Sequence, residues 1–260
     1  MKPMKPIKPY ISALLLFSLI SCAHEGDYQR HQIATIDEAS GIDFCDDSNT
    51  LIVANDEGSF YEITPQGEIL SRHKLGDFDL EGVVCEKETL TFAIEEGALL
   101  EVHRHSQQTK HLPLKGETAK ITKRSGIEGI TKIGEVYYLA IQSKNKADAK
   151  ILITQKNNQY TKVIHELPSN IIDTSGLVYH NHQLYILSDT QDRLYIYNLE
   201  TNQTLQEIKL PPFDQEGIAF DAQGNLYLTD DNGAVLRYHP SEFNLTTEKA
   251  TQSSPPPLPK

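Results

Sequence analysis

"DQEGIAF" (214–220) is the last of five versions of one phrase, after "DEASGID" (37–43), "DLEGVVC" (79–85), "GIEGITK" (126–132) and "DTSGLVY" (173–179). The glycines that anchor them, Gly41, Gly82, Gly129, Gly176 and Gly217, are spaced 41, 47, 47 and 41 residues apart. A period of roughly 40–50 residues filled with short alternating strands is the signature of a β-propeller, in which each repeat supplies one four-stranded blade. The text between the glycines has that form. In the last unit "GIAFD" is followed by a turn at "AQGN", then "LYLTD", "DNG" and "AVLRYH"; the fourth unit reads "GLVYH", "QLYILSD", "RLYIYNL" and "TLQEIKL". Apolar residues alternate with period two, no sustained helical stripe occurs, and the chain has no Trp, which argues against a WD-type ring. The expectation is an all-β, five-bladed β-propeller with four strands per blade over residues 28–248.

The chain ends specify how the ring closes. "EILSRHKLGDFDLEG" and "TLQEIKLPPFDQEG" are outermost strands running into the next motif, and "YQRHQIATIDEASG" before the first motif has the same form. The last unit has only "SEFNLTTEK" after its third strand. Residues 28–36 are therefore expected to supply the missing strand of the last blade, so that the N-terminal strand closes the ring and no sheet edge stays open. The competing reading makes them a tether.

Residues 1–21 look like an address rather than part of a core. "MKPMKPIKPY" carries three Lys and no acid, the ten-residue "ISALLLFSLI" follows, and "LISC" ends at Cys22. This is the pattern of a lipoprotein signal peptide, with Cys22 the lipidated first residue of the mature chain and 22–27 a tether. The alternative, a transmembrane anchor, needs about twice that apolar length. Ala23 after the cysteine favours the periplasmic side of an outer membrane over the plasma membrane in a two-membrane bacterium. The Pro- and Ser-rich end, 249–260, cannot bury a face and is expected to be disordered.

Removing residues 1–21 moves the formal charge from −12 to −15. Such a chain is a poor partner for nucleic-acid phosphates and a fair one for cations. In a ring, residues at equivalent offsets from the motif glycine meet in one layer. The position before the glycine holds Ser40, Glu81, Glu128, Ser175 and Glu216, and acids recur three positions before it and at the end of the second strand. Carboxylates crowded at one channel mouth repel unless a cation intervenes, and Ca²⁺ is suited to oxygen ligands from carboxylates and hydroxyls. The expected metal residues are Glu81, Glu128 and Glu216, with Asp56, Asp189 and Asp214 in or near an outer shell. The competing reading gives these acids a purely structural role.

Cys45 and Cys85 remain beyond Cys22. The register points them to facing sides of neighbouring blades, which leaves a disulfide and a pair of buried thiols as the two readings.

"EASGIDF", "VANDEGSFYEITPQGEIL", "DLEGVV", "DTSGLVYHNHQLYILSD" and "DQEGIAFDAQGNLYLTD" occur in order, and over residues 28–240 the chain resembles the SdiA-regulated proteins of bacteria. That resemblance implies a five-bladed propeller distantly akin to NHL-repeat propellers, a central calcium site and no established catalysis. Unit three departs from it, with no acid upstream of "GIEG" and Gln142 where the other units carry an acid.

No nucleophile motif is present. "GxSxG" is missing, "IHELP" lacks the second zinc-binding histidine, and "HRH" (103–105) and "HNH" (180–182) fall at strand ends and turns. The function expected is that of a membrane-anchored, calcium-binding interaction module with an unknown protein or small-molecule ligand. The runner-up is a metal-dependent, lactonase-like hydrolase, as in gluconolactonase-type propellers.

Overall fold

The computed structural model describes residues 29–116, 121 and 125–245. The expected signal peptide, the Cys22 lipidation site, the tether and the Pro-rich tail lie outside the described residues. The chain divides into residues 1–31 and a unit of residues 32–260, and every strand of the described residues belongs to the latter.

The first strand, β1, is Gln32–Thr35. A four-stranded antiparallel meander follows, of β2 (Ala39–Cys45), β3 (Thr50–Asn55), β4 (Ser59–Ile63) and β5 (Ile69–Lys74). The next holds β6 (Leu80–Cys85), β7 (Thr89–Ile94), β8 (Ala98–His103) and β9 (Thr109–Lys115). After it come β10 (Ile127–Ile133), β11 (Val136–Ile141), β12 (Lys150–Lys156) and β13 (Thr161–Pro168), then β14 (Thr174–His180), β15 (Gln183–Ser188), β16 (Arg193–Asn198) and β17 (Gln203–Lys209). The last three strands, β18 (Gln215–Phe220), β19 (Leu226–Asp230) and β20 (Ala234–Tyr238), are completed by β1, which pairs antiparallel with β20. The N-terminal strand is shorter than the 28–36 read from the sequence.

One feature differs from separate sheets. The outer strands β9 and β13 make a two-residue parallel contact, Thr161 with Leu114 and Lys162 with Lys115, which merges their two meanders into one eight-stranded sheet. Outer strands carry unpaired backbone groups on one edge, and here two edges satisfy part of that need together.

The fourth, outermost strand of each meander is its least buried. β3 is buried along its whole length, whereas β5 and β17 are mostly exposed. The apolar clusters lie between successive meanders rather than within one. Ile52 and Phe60 pack with Val83 and Phe92; Val84 and Leu99 with Ile130 and Tyr137; Ile151 and Tyr138 with Leu177 and Ile186. The last cluster joins the end of the chain to its beginning, through Ala219, Tyr227 and Val235 against Ile42, Leu51 and Val53. The inner strands of each meander are thus buried on both faces, so the period-two alternation expected from the sequence gives way along strands such as β3, β7 and β11 to nearly continuous burial.

The first strands touch in cyclic order: β2 with β6, β6 with β10, β10 with β14, β14 with β18, and β18 with β2. The recurring glycine permits this approach. A Cβ on Gly41 would stand 2.5 Å from the Gly82 Cα, one on Gly129 2.9 Å from the Leu177 nitrogen, and one on Gly217 2.3 Å from the Ser40 oxygen. The motif glycine is therefore selected by the contact between neighbouring backbones, and its strand conformation is ordinary.

Candidate metal centre

Each first strand carries a register shift at the motif. The pairing slips between Ala39 and Ile42, Leu80 and Gly82, Ile127 and Gly129, Thr174 and Gly176, and Gln215 and Ile218. The residue before the glycine sits on this bulge every time, namely Ser40, Glu81, Glu128, Ser175 and Glu216. A bulge adds a residue to one strand and re-aims its side chain out of the strict alternation.

Glu81, Glu128 and Glu216 each bring a carboxylate oxygen to within 4.8 Å of the other two. Glu81 and Glu128 are buried and Glu216 is nearly so. Burial is the main force on their protonation and mutual repulsion adds to it. Burial followed by the charges of Glu128, Asp56 and Asp79 pushes Glu81 up to about 12. Glu216 rises to about 10 for burial and its neighbours Glu128 and Asp189. Glu128 rises to about 8, held lower by a hydrogen bond with Glu81. None of the main influences on these three carboxyls among the described residues is a positive charge, so burial and repulsion favour their protonated forms.

A second group, Asp56, Asp79 and Glu81, shares Glu81 with the first. Asp56 follows β3, and its carboxylate accepts a hydrogen bond from the Ser40 hydroxyl. Burial first, then the charges of Asp79 and Asp231, against the opposing Ser40 bond, raises Asp56 to about 6. One buried oxygen of Asp79 has no hydrogen-bond partner. A cleft of about 480 Å³, lined by Asp56, Asp79, Glu96, Lys74 and Phe78 among others, opens beside this group.

Asp189 and Asp214 are in neither cluster. Asp189 accepts from the Gln215 amide at 3.2 Å and Asp214 from the Asn232 side chain at 2.6 Å. Burial, Asp173 and Asp214 raise Asp189 to about 6. Its charge is felt by Glu216, so it stands at the rim of the site.

Two carboxylates outside the expected set belong to it. Asp79 lies three positions before Gly82, an offset visible in the sequence. Glu95 follows β7, and a Cβ on Gly126 would meet its Cγ at 2.3 Å and the Glu128 Oε1 at 3.0 Å. The missing upstream acid of unit three is thus the space into which Glu95 reaches toward Glu128, whose carboxyl feels Glu95 most strongly among the neighbouring charges. Ser175 completes the layer with a buried hydroxyl that has no hydrogen-bond partner.

The donor set is all oxygen. Among the described residues no group of three potential metal ligands contains a histidine. Cys45 and Cys85, 5.4 Å apart between Cα atoms, are joined as a disulfide that links β2 to β6.

The family model described as SdiA-regulated matches residues 18–233. A search of curated protein sequences finds no match. Among solved structures, glutaminyl cyclase of Myxococcus xanthus superposes with a TM-score of 0.62 at 12% identity, covering 80% of this chain and 92% of that one. A luciferin-regenerating enzyme superposes with a TM-score of 0.51 at 12% identity, covering 80% and 78% respectively. At such identities the likeness is one of fold, and that fold is the β-propeller.

Proposed function

The chain belongs to the SdiA-regulated family, and from that premise we propose a five-bladed propeller that holds one Ca²⁺ where its first strands converge and acts by binding rather than by catalysis. The cyclic contact of five first strands supports the blade count, and the β1–β20 pairing supports closure by the N-terminal strand. The observation that carries the metal reading is the meeting of Glu81, Glu128 and Glu216, three acids far apart in the chain, within 4.8 Å. Two oxygens held at about 2.4 Å by one ion are at most about 4.8 Å apart, an upper limit that the three carboxylates meet, which supports a shared hard cation. Glu95, Asp56, Asp79 and the Ser175 hydroxyl are within the same neighbourhood, and oxygen-rich surroundings of this kind suit calcium better than a softer metal. The ion would neutralise carboxylate charge that protons would otherwise have to cancel.

The test is metal analysis of the purified full-length chain, with calorimetric titration of calcium after chelation. One calcium per chain, with an affinity lost in Glu128→Gln, is the expected result. A chain that takes up no calcium would defeat the reading.

We propose further that the chain is exported, lipidated at Cys22 and held at the periplasmic face of the outer membrane. Its support is the "LISC" sequence with Ala23 after it, together with a disulfide that belongs to an oxidising compartment. Among the described residues no helix is long and apolar enough to cross a membrane. Cys22→Ser should move the chain from the membrane fraction to the soluble one. The open cleft beside Asp79 is the one observation in favour of the second reading, a metal-dependent hydrolase of lactones. Calcium-dependent turnover of a simple lactone, abolished in Glu81→Gln, would establish it.

A further inference from the structure

The first strands have a second end. About four residues beyond the carboxylate layer, or roughly 13 Å along the strand, their C-terminal ends surround a separate cavity of about 480 Å³. This volume lies within the ~300–1,000 Å³ usual for small-molecule sites. All five first strands or the turns after them contribute to its wall.

The charges in that wall are already partly committed. Lys132 is paired with Glu86, which also accepts from the Tyr137 hydroxyl at 2.7 Å. Asp221 accepts from the backbone nitrogens of Gln223 and Asn225, the Asn225 side chain and the Tyr227 hydroxyl. What remains for a ligand is Asp46, which is exposed, and the unfilled acceptor capacity of Asp43, whose carboxylate accepts from the Cys85 amide at 2.7 Å and from the Phe44 backbone. The two are near enough for Asp46 to raise the carboxyl of Asp43, though burial is the main cause of its rise to about 7. His180 is stacked on Phe220 with ring centroids 4.4 Å apart, and burial lowers its pKa, so it adds no positive charge at neutral pH. The rest of the wall includes Phe44, Val84 and Val178.

Among the described residues of this wall, an anion would find no uncommitted cation. A metal ion finds no compact cage, because among the described residues the acids of this wall form no group of three. An acidic pair beside an aromatic and aliphatic wall matches instead a cation with an apolar body. We propose that this cavity binds a small organic ammonium compound, its charged head at Asp43 and Asp46 and its body against Phe44, Val84, Val178 and Phe220. The site is distinct from the calcium-binding carboxylates and does not depend on them.

The test titrates the full-length protein, in excess calcium, with phenethylammonium by calorimetry, beside the uncharged 2-phenylethanol and the anionic 3-phenylpropionate. Phenethylammonium is expected to bind, and the other two to bind at least about tenfold more weakly. Asp46→Asn, at an exposed position, should weaken the ammonium about tenfold, as should Asp43→Asn, which keeps an acceptor for the Cys85 amide. Glu207→Gln, on an outer strand, should leave it unchanged. Equal binding of the ammonium and the alcohol, no binding, indifference to Asp46→Asn, or equal weakening by Glu207→Gln would each overturn the proposal.

Discussion

A methyl group on Gly217 would press on the Ser40 carbonyl oxygen, a backbone atom fixed by two sheets, whereas one on Gly126 would press on the Glu95 side chain, which can move. The two alanine variants should therefore fail differently. Gly217→Ala is expected to cost about 1–3 kcal/mol of stability through overpacking, measured by urea unfolding. Gly126→Ala should cost less, yet weaken calcium binding by turning Glu95 away from Glu128; unchanged affinity by calorimetric titration would count against a part for Glu95. The acids before the glycines were legible in the sequence because the repeat superimposes them. The pairing of Gly126 with Glu95 was not, since it arises where the end of one repeat's second strand approaches the start of the next repeat, and no periodic offset records that approach. Asp79 was visible at its offset, and its place beside Glu81 follows only from the turn geometry that leads into β6.

At the scale of elements, alternation with period two located the strands, and the segment ahead of the first motif was legible as a strand because its pattern matches the other outer strands. The contact between β9 and β13 was hidden, since a two-residue parallel pairing depends on how far neighbouring sheets splay at their outer edges. Register alone also left Cys45 and Cys85 undecided between a bridge and two thiols, because it fixes direction but not distance. The bridge closes a separation of 40 residues between β2 and β6. Loop closure of that length removes unfolded-chain entropy worth about 4 kcal/mol. Replacing both cysteines by alanine should lower stability toward that amount in urea unfolding, and a variant as stable as the parent would show that the link constrains little. β1 carries a second expectation: a chain beginning at Asp37 leaves the β20 edge unpaired and should aggregate, as light scattering would register.

For the whole molecule, the ring gathers in one buried place acids that an open chain would keep apart, and stability must therefore depend on pH in an unusual direction. Glu81, Glu128 and Glu216 have folded-state values raised above the ordinary carboxylate range, Glu128 to about 8 and Glu216 to about 10. A group raised on folding favours the folded chain fully below its unfolded pKa, and that contribution is lost as pH rises through the folded value. In chelator, thermal stability should fall from about pH 5 through about pH 8 as Asp56 and Asp189, raised to about 6, Asp43, raised to about 7, and Glu128, raised to about 8, give up their protons, and fall further toward Glu216's range. The acid Glu86 does not blur this window: burial acts against it, but bonds from Lys132 and Tyr137 hold its carboxyl below the usual range, so its contribution is constant above about pH 5. Calcium removes this slope, because it binds the ionised carboxylates and displaces their protons, so affinity climbs with pH while the bound chain keeps a level stability. The gap between melting temperatures in calcium and in chelator should widen steadily between about pH 5 and about pH 8.5. A gap of constant size would mean that the cation meets carboxylates already ionised, and the buried layer would then be no metal site.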